Sequence, residues 1–145
     1  MQMRRGRQVP VIGGAAGSAI VEMAFVFPIF LLLTFGIVEF GRAWLTVNTM
    51  NHATREALRL AATTAGLTAD DSTVIAKATT ILANFNLTAD SVTNSAPAGT
   101  PREVTVTTAL TFTYLPILTG IGLMFAPGFT GTIPLTSQAT MRYER

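Results

Sequence analysis

The sequence predicts an α+β protein held by a single membrane-spanning helix near its amino terminus. Three observations support this: an apolar run long enough to cross a bilayer, a following stretch with apolar residues at three- and four-residue steps, and a final third in which residue polarity alternates. The first two patterns are typical of helices, and the third is typical of strands buried on one side. The 145 residues make up about one domain.

The composition also points to a membrane and excludes several functions. Hydrophobic residues make up 49% of the chain and charged residues 12%, against about 25% charged residues in a typical soluble domain. The net charge of +2 is too small to indicate nucleic-acid binding. The absence of cysteine excludes disulfides, zinc–cysteine sites and thiol catalysis.

The apolar run from Ala19 to Val38 contains one charged residue, Glu22. About twenty helical residues span about 30 Å, the thickness of the hydrocarbon core. A removable secretory signal is the alternative, but its apolar core is shorter and a small-residue cleavage site follows it. Here Glu39–Trp44 follows and the helical pattern continues. We therefore expect a retained anchor.

The orientation of the anchor follows from Arg4, Arg5 and Arg7, which precede it. Positive residues remain on the cytoplasmic side of a membrane, and the flank after the span carries no positive excess to oppose them. The amino terminus is therefore predicted to be cytoplasmic and the rest of the chain exported.

Two residues of the span require an explanation. A proline such as Pro28 destabilises the interior of a helix in a water-soluble protein by about 3 kcal/mol, but membrane helices tolerate proline. Glu22 has two interpretations. It marks the membrane interface, or it pairs with a new α-amine at Ser18 after cleavage behind Gly17. Residues four apart share a helix face, and the pair could form within one chain or between neighbouring chains.

Three motifs follow one another along the chain: Gly17-Ser-Ala-Ile-Val-Glu-Met-Ala-Phe-Val-Phe-Pro28, Phe35-Gly-Ile-Val-Glu-Phe-Gly-Arg42 and Ala53-Thr-Arg-Glu-Ala-Leu-Arg59. A basic leader ending in glycine, with glutamate five residues later in an apolar helix, is similar to a type IV prepilin signal. In this order the three motifs resemble the TadE-like family of pilus assembly proteins, and the closing segment Ser137–Glu144 resembles the family's last strand. Met23 and Leu58 depart from the usual family residues.

The resemblance implies a non-enzymatic minor pilin or pseudopilin of a tight-adherence (Flp-type) pilus, with roles in secretion and cell adhesion. It implies cleavage between Gly17 and Ser18, and assembly through a helix carrying Glu22 and Pro28. The partners implied are a prepilin peptidase, other pilin or pseudopilin subunits, inner-membrane assembly proteins and the bilayer, with no nucleic acid. Neither cofactor nor metal is expected. Further candidate partner contacts are Glu39, Arg42, Arg55 and Glu56.

The same resemblance places the chain in the bacterial cytoplasmic (inner) membrane as a single-pass protein, with entry into the pilus left open. We expect a leader at 1–17, a transmembrane helix at 18–38, an amphipathic helix at 39–66 and an exported α+β domain at 67–145. The helix should end near Ala65, before Gly66. Its predicted apolar face contains Phe40, Ala43, Trp44, Val47, Met50, Thr54, Ala57, Leu58 and Ala61, and the opposite face contains Arg42, Thr46, Thr49, His52, Glu56 and Arg59.

The exported domain is predicted to contain one helix and three strands. Asp71–Asn84 forms the helix, with Val74 to Phe85 contributing its apolar side. Alternation predicts strands near 90–95, 103–114 and 130–144, antiparallel and packed on two helices in a pilin-like core. Leu115–Phe129 is apolar but too short, and too interrupted by glycine and proline, to span a bilayer.

No pattern of catalytic residues is present. The chain contains no GxxxxGK[ST], HExxH or GxSxG motif, and its single histidine, His52, has no cysteine or acidic partner at ligand spacing. An envelope enzyme is therefore disfavoured. The alternative to pilus assembly is an uncleaved, membrane-anchored binding module that recruits a secretion or adhesion partner through Leu115–Phe129.

Overall fold

The computed structural model describes residues 14–144. The predicted leader arginines Arg4, Arg5 and Arg7 lie outside these residues. The chain divides into two units at residue 36. Helix α1, Gly14–Thr63, is common to both and begins four residues before the predicted start at Ser18. The second unit also contains helices α2 and α3 and strands β1 to β3.

The first unit consists of the apolar part of α1. Within residues 14–144, α1 is the one helix long and apolar enough to cross a membrane. Its large side chains are exposed rather than buried, including Val21, Phe25 and Ile29. Helical structure continues through Pro28. An apolar helix whose surface lacks protein contacts supports membrane anchoring.

Helix α2, Ser72–Ala83, confirms the predicted second helix. Asp71 caps its amino terminus by accepting a hydrogen bond from the backbone N–H of Thr73 at 2.9 Å. Hydrogen bonds from the Thr73 hydroxyl and backbone N–H lower the pKa of the Asp71 carboxyl. Asn84 closes the helix as its C-cap. Phe85, predicted on the apolar side, is exposed because it lies beyond this cap.

The three strands form one antiparallel sheet in the order β1-β2-β3. Strand β1 covers Ser91–Asn94, β2 covers Glu103–Thr113 and β3 covers Thr132–Arg142. Along β2 the even-numbered residues Val104 to Phe112 are buried, as the alternation predicted. The sheet therefore presents one covered face and one solvated face.

Helices α1 and α2 supply the side chains that bury this face. Thr54 of α1 donates a hydrogen bond of 3.0 Å to the Thr108 hydroxyl of β2 inside the core. The α+β class with a pilin-like layout is thus confirmed. Two clusters make up the core: the first contains Ala57, Leu58, Ala61, Ala62, Leu67, Val74, Ala78, Val92, Val104, Val106 and Tyr143, and the second contains Met50, Ala53, Leu82 and Leu110.

The predicted faces of α1 are wrong in its middle part. Phe40 is 71% exposed and Trp44 is also exposed, whereas Thr46 and Thr49 are buried. The threonine hydroxyls donate to carbonyls four residues earlier, at 3.0 and 2.9 Å, so burial leaves neither hydroxyl unpaired. Apolar residues therefore cover the outer surface here, where the sequence predicted a core.

Helix α3, Pro116–Phe125, was not predicted. Pro116 stands in its first turn, where the missing N–H has no helical partner in any case. Glycines inside a helix cost about 1 kcal/mol each relative to alanine, which argued against a helix. Packing explains the glycine at position 122, because a Cβ there would collide with the Phe129 ring.

Asn94 connects β1 to the segment before α2. It is 3% exposed, accepts from the Asp71 N–H at 2.7 Å and donates to the Thr68 carbonyl at 2.8 Å. Asn94→Ala removes the partner of both backbone groups, and each lost hydrogen bond costs about 0.5–1.5 kcal/mol net.

For a domain of this size, 1 kcal/mol shifts the unfolding midpoint by about 4–8 °C. We therefore expect the midpoint to fall by about 10 °C or more, measured by near-ultraviolet circular dichroism of the chain in detergent. The matched control is Asn48→Ala at an exposed position of α1, which should change little. Equal midpoints for the two variants would contradict the expectation.

Candidate functional site

The predicted cleavage bond lies in the first turn of α1. Gly17 is exposed, and a Cβ built on it would meet no atom within 4 Å. The first four N–H groups of a helix have no intrahelical acceptor, so unwinding this turn breaks few hydrogen bonds. The Gly17–Ser18 bond therefore lies in an exposed turn held by few hydrogen bonds.

Glu22 lies four residues after Ser18 on the same helix and is exposed. Residues four apart share a helix face, so a charged amine at Ser18 would lie above the carboxylate. Two ion pairs form among residues 14–144, Arg42–Glu39 and Arg59–Glu56, and Glu22 belongs to neither. In lipid an unpaired charge costs up to about 2.5–3.5 kcal/mol, which gives Glu22 a reason to pair.

Pro28 borders a shallow apolar concavity of about 480 Å³ on α1. Because proline has no N–H, the carbonyl of Ala24 loses its helical partner. The lining residues are Ile20, Met23, Ala24, Phe27 and Pro28.

Glu39 and Arg42 belong to a tertiary contact in the second unit. Arg42 Nη1 donates to both carboxylate oxygens of Glu39, at 2.9 and 2.7 Å. Glu39 is only 2% exposed, and its Oε1 also accepts from the backbone N–H of Leu115 at 3.0 Å. The guanidinium Cζ lies 5.4 Å from the centroid of the Phe112 ring, within cation–π range.

This contact connects α1 to the end of β2 and the start of α3. Sequence spacing showed only the Glu39–Arg42 pair, worth about 0.2–0.5 kcal/mol on a free helix. It did not identify Leu115 or Phe112, because no local pattern links residues so far apart in the chain. Glu39 is therefore a buried positioning group, and the half-exposed Arg42 is the member of the pair open to a partner.

Arg55 and Glu56 are separate from this cluster. Arg55 is exposed, and Glu56 accepts from Arg59 at 3.1 Å on the helix surface. Thirteen residues separate Arg42 from Arg55, which corresponds to about 20 Å along a helix. The four candidate contacts therefore form two surfaces rather than one site.

The described part of the chain offers no constellation for metal-dependent chemistry. No group of three His, Cys, Asp or Glu residues within residues 14–144 is placed to hold a metal ion. His52 is exposed on α1.

Loss of the Glu39 carboxylate should release the start of α3. In Glu39→Ala the Leu115 N–H loses its acceptor, a loss worth about 1–3 kcal/mol. Amide exchange at Leu118 and Thr119, which bond to the Leu115 carbonyl, should accelerate by about tenfold or more, since 1.4 kcal/mol is a factor of ten.

Two variants control this experiment. Glu39→Gln retains an acceptor for Leu115 and should show a smaller change. Glu56→Ala removes the exposed pair with Arg59 and should leave α3 unchanged. Unaltered exchange of α3 in Glu39→Ala would contradict the positioning role.

Comparison with known proteins supports the resemblance. Residues 17–59 match the model of the family described as TadE-like protein. The match begins at Gly17, includes Glu22, Glu39 and Arg42, and ends at Arg59, so α2, α3 and the sheet lie outside it. Comparison with curated proteins and with solved structures gave no match. Over these residues the chain is similar to TadE-like proteins.

Proposed function

We propose that this chain, TadE-like over residues 17–59, is a minor pilin or pseudopilin of a tight-adherence type pilus. A prepilin peptidase cleaves it after Gly17, and it assembles through α1. The observation that carries the proposal is the position of Glu22, four residues after Ser18 in an exposed apolar helix. With that spacing, cleavage after Gly17 would give the acidic side chain an amine on the same helix face.

Cleavage has two physical consequences. Hydrolysis of the Gly17–Ser18 bond leaves a carboxylate on Gly17 and an ammonium group on Ser18. It also removes Arg4, Arg5 and Arg7, whose charge holds the amino terminus at the cytoplasmic surface. The processed helix is then free to leave the bilayer for a growing assembly.

Assembly pairs the Glu22 carboxylate of one subunit with the Ser18 ammonium of a neighbour. Charge neutralisation in a low-dielectric environment is the driving interaction, because each charge is costly alone. The apolar concavity beside Pro28 gives neighbouring helices a surface for close packing. The partners are other pilin or pseudopilin subunits and inner-membrane assembly proteins.

The test is the amino-terminal residue of the chain isolated from its own membranes, with and without an active prepilin peptidase. A terminus at Ser18 that depends on the peptidase supports the proposal. An intact Met1 under both conditions would overturn it, because no amine would then face Glu22.

An uncleaved, membrane-anchored binding module is the second candidate function. The observation that favours it is the exposed apolar surface of α3, where Met124 is 81% exposed. Such surfaces mark interaction sites. Deleting Leu115–Phe129 should then abolish capture of a secretion or adhesion partner without preventing insertion of α1 into the membrane.

A further inference from the structure

The outer face of α3 is apolar over Pro116–Met124. Ile117, Leu123 and Met124 are exposed on it, as are Pro116 and Gly120. From Val104 to Met141 the chain carries no charged side chain and no histidine. A soluble surface would carry charge on about a quarter of its residues, so water is not the natural environment of this face.

Helix α3 begins beside the residue that follows the predicted membrane span. The Leu115 N–H, one residue before α3, donates to Glu39 at 3.0 Å. Glu39 directly follows Val38, where the apolar run ends. A direct hydrogen bond therefore holds the start of α3 close to the point at which α1 leaves the hydrocarbon core.

The same region of α1 displays an aromatic pair. Phe40 and Trp44 are both exposed, and their ring centroids lie 6.3 Å apart. Tryptophan and other aromatic residues are concentrated at the headgroup level of membranes. The charged residues nearby, Arg42 and Asp90, line a polar groove of about 340 Å³. No residue of α3 lines this groove.

The opposite end of the sheet has a different chemistry. Arg102 precedes β2, and Glu103, the first residue of β2, pairs with Arg142 at the end of β3. Strand β2 has 11 residues, so these charges lie about 35 Å from its Thr113 end. The second unit is thus charged at one end of the sheet and apolar at the end next to Glu39.

We propose that the outer face of α3 is a second membrane contact, which inserts Ile117, Leu123 and Met124 into the headgroup–acyl boundary of the bilayer that α1 spans. The helix has 10 residues, too few to cross the bilayer but sufficient to lie in its surface. In the unassembled subunit, α3 therefore holds the exported domain against the membrane. The proposal requires anchoring by α1 but neither cleavage nor pilus formation.

The experiment uses the full chain in phosphatidylcholine vesicles, with Met124→Trp in a Trp44→Phe background so that position 124 carries the only tryptophan. Bromine atoms on the lipid acyl chains quench tryptophan that reaches them. We expect the emission to fall by about half or more relative to unbrominated vesicles, because the side chain enters the acyl boundary. Aqueous acrylamide should quench it weakly.

Arg102→Trp in the same background is the matched control, because position 102 lies at the charged end of the sheet. Its tryptophan should be quenched by acrylamide and not by brominated lipid. The opposite of the expected pattern at position 124, with strong acrylamide and no bromine quenching, overturns the proposal. Protection from both quenchers also overturns it, since the face would then be covered by a second copy of the chain.

Leader cleavage of the Met124→Trp variant is measured in parallel. Position 124 is remote in sequence from Gly17, so processing should be unchanged. Normal processing with no lipid quenching would refute the α3 contact and leave the pilus function intact. Lipid quenching in a chain that is never cleaved would support the α3 contact and refute the proposed pilus function.

Discussion

Glu22→Ala is expected to insert into the membrane normally and to be lost from assembled pili. In this variant the Ser18 ammonium of a neighbouring subunit has no carboxylate to pair with. Removing one partner of a buried ion pair costs about 3–5 kcal/mol. At 1.4 kcal/mol per factor of ten, incorporation should fall by about two to four orders of magnitude. The measurements are carbonate extraction of membranes for insertion, and quantification of the chain in sheared pili.

Three variants define the cause of this loss. Glu22→Gln preserves side-chain length without charge and should fail like Glu22→Ala. Glu22→Asp keeps the charge on a shorter side chain and should assemble partially. Glu144→Ala removes a carboxylate from an exposed position of the second unit and should assemble fully. Normal piliation in Glu22→Ala would refute pairing as the basis of assembly.

Gly17→Leu is expected to block processing. The branched side chain must enter the peptidase subsite that accepts the glycine, and misplacement of a substrate by about 1 Å can cost roughly 100-fold in rate. Leucine also favours helix over glycine by about 0.8–1 kcal/mol, which opposes unwinding of the first turn. The uncleaved chain should retain its leader arginines and remain in the membrane. Mass spectrometry of the amino terminus measures the cleaved fraction.

Gly36→Leu is the matched control, because a Cβ at Gly36 also meets no atom within 4 Å and the same helical preference is gained. It should be cleaved at the normal rate. If Gly17→Leu were cleaved as fast as Gly36→Leu, the processing site would lie elsewhere in the chain.

Local periodicity predicted most of the elements. The span, α2 and the three strands each carry a pattern within about a dozen consecutive residues, and the alternation along β2 corresponds to its burial. The start of α1 at Gly14 and the helix at Pro116–Phe125 were missed. In α3, Gly122 packs against Phe129, and such a tertiary contact has no signature in the local sequence.

The candidate site was predictable where its residues are close together in the chain. Gly17, Ser18 and Glu22 lie within one and a half helical turns, so spacing alone relates them. Glu39 was recognised as a candidate, but its burial was not predicted, because its partner Leu115 lies 76 residues later in the chain. The exposure of Phe40 was likewise missed. Apolar residues at helical spacing have the same pattern whether they face a core or a membrane surface.

The order β1-β2-β3 leaves two sheet edges, and both are poorly suited to pairing with another chain. Strand β1 has only 4 residues, and Pro134 removes one backbone donor from β3. Unprotected edges are templates for cross-β aggregation. In the assembly proposed above, the short β1 and the interrupted β3 would favour association of subunits through their helices over association through the sheet.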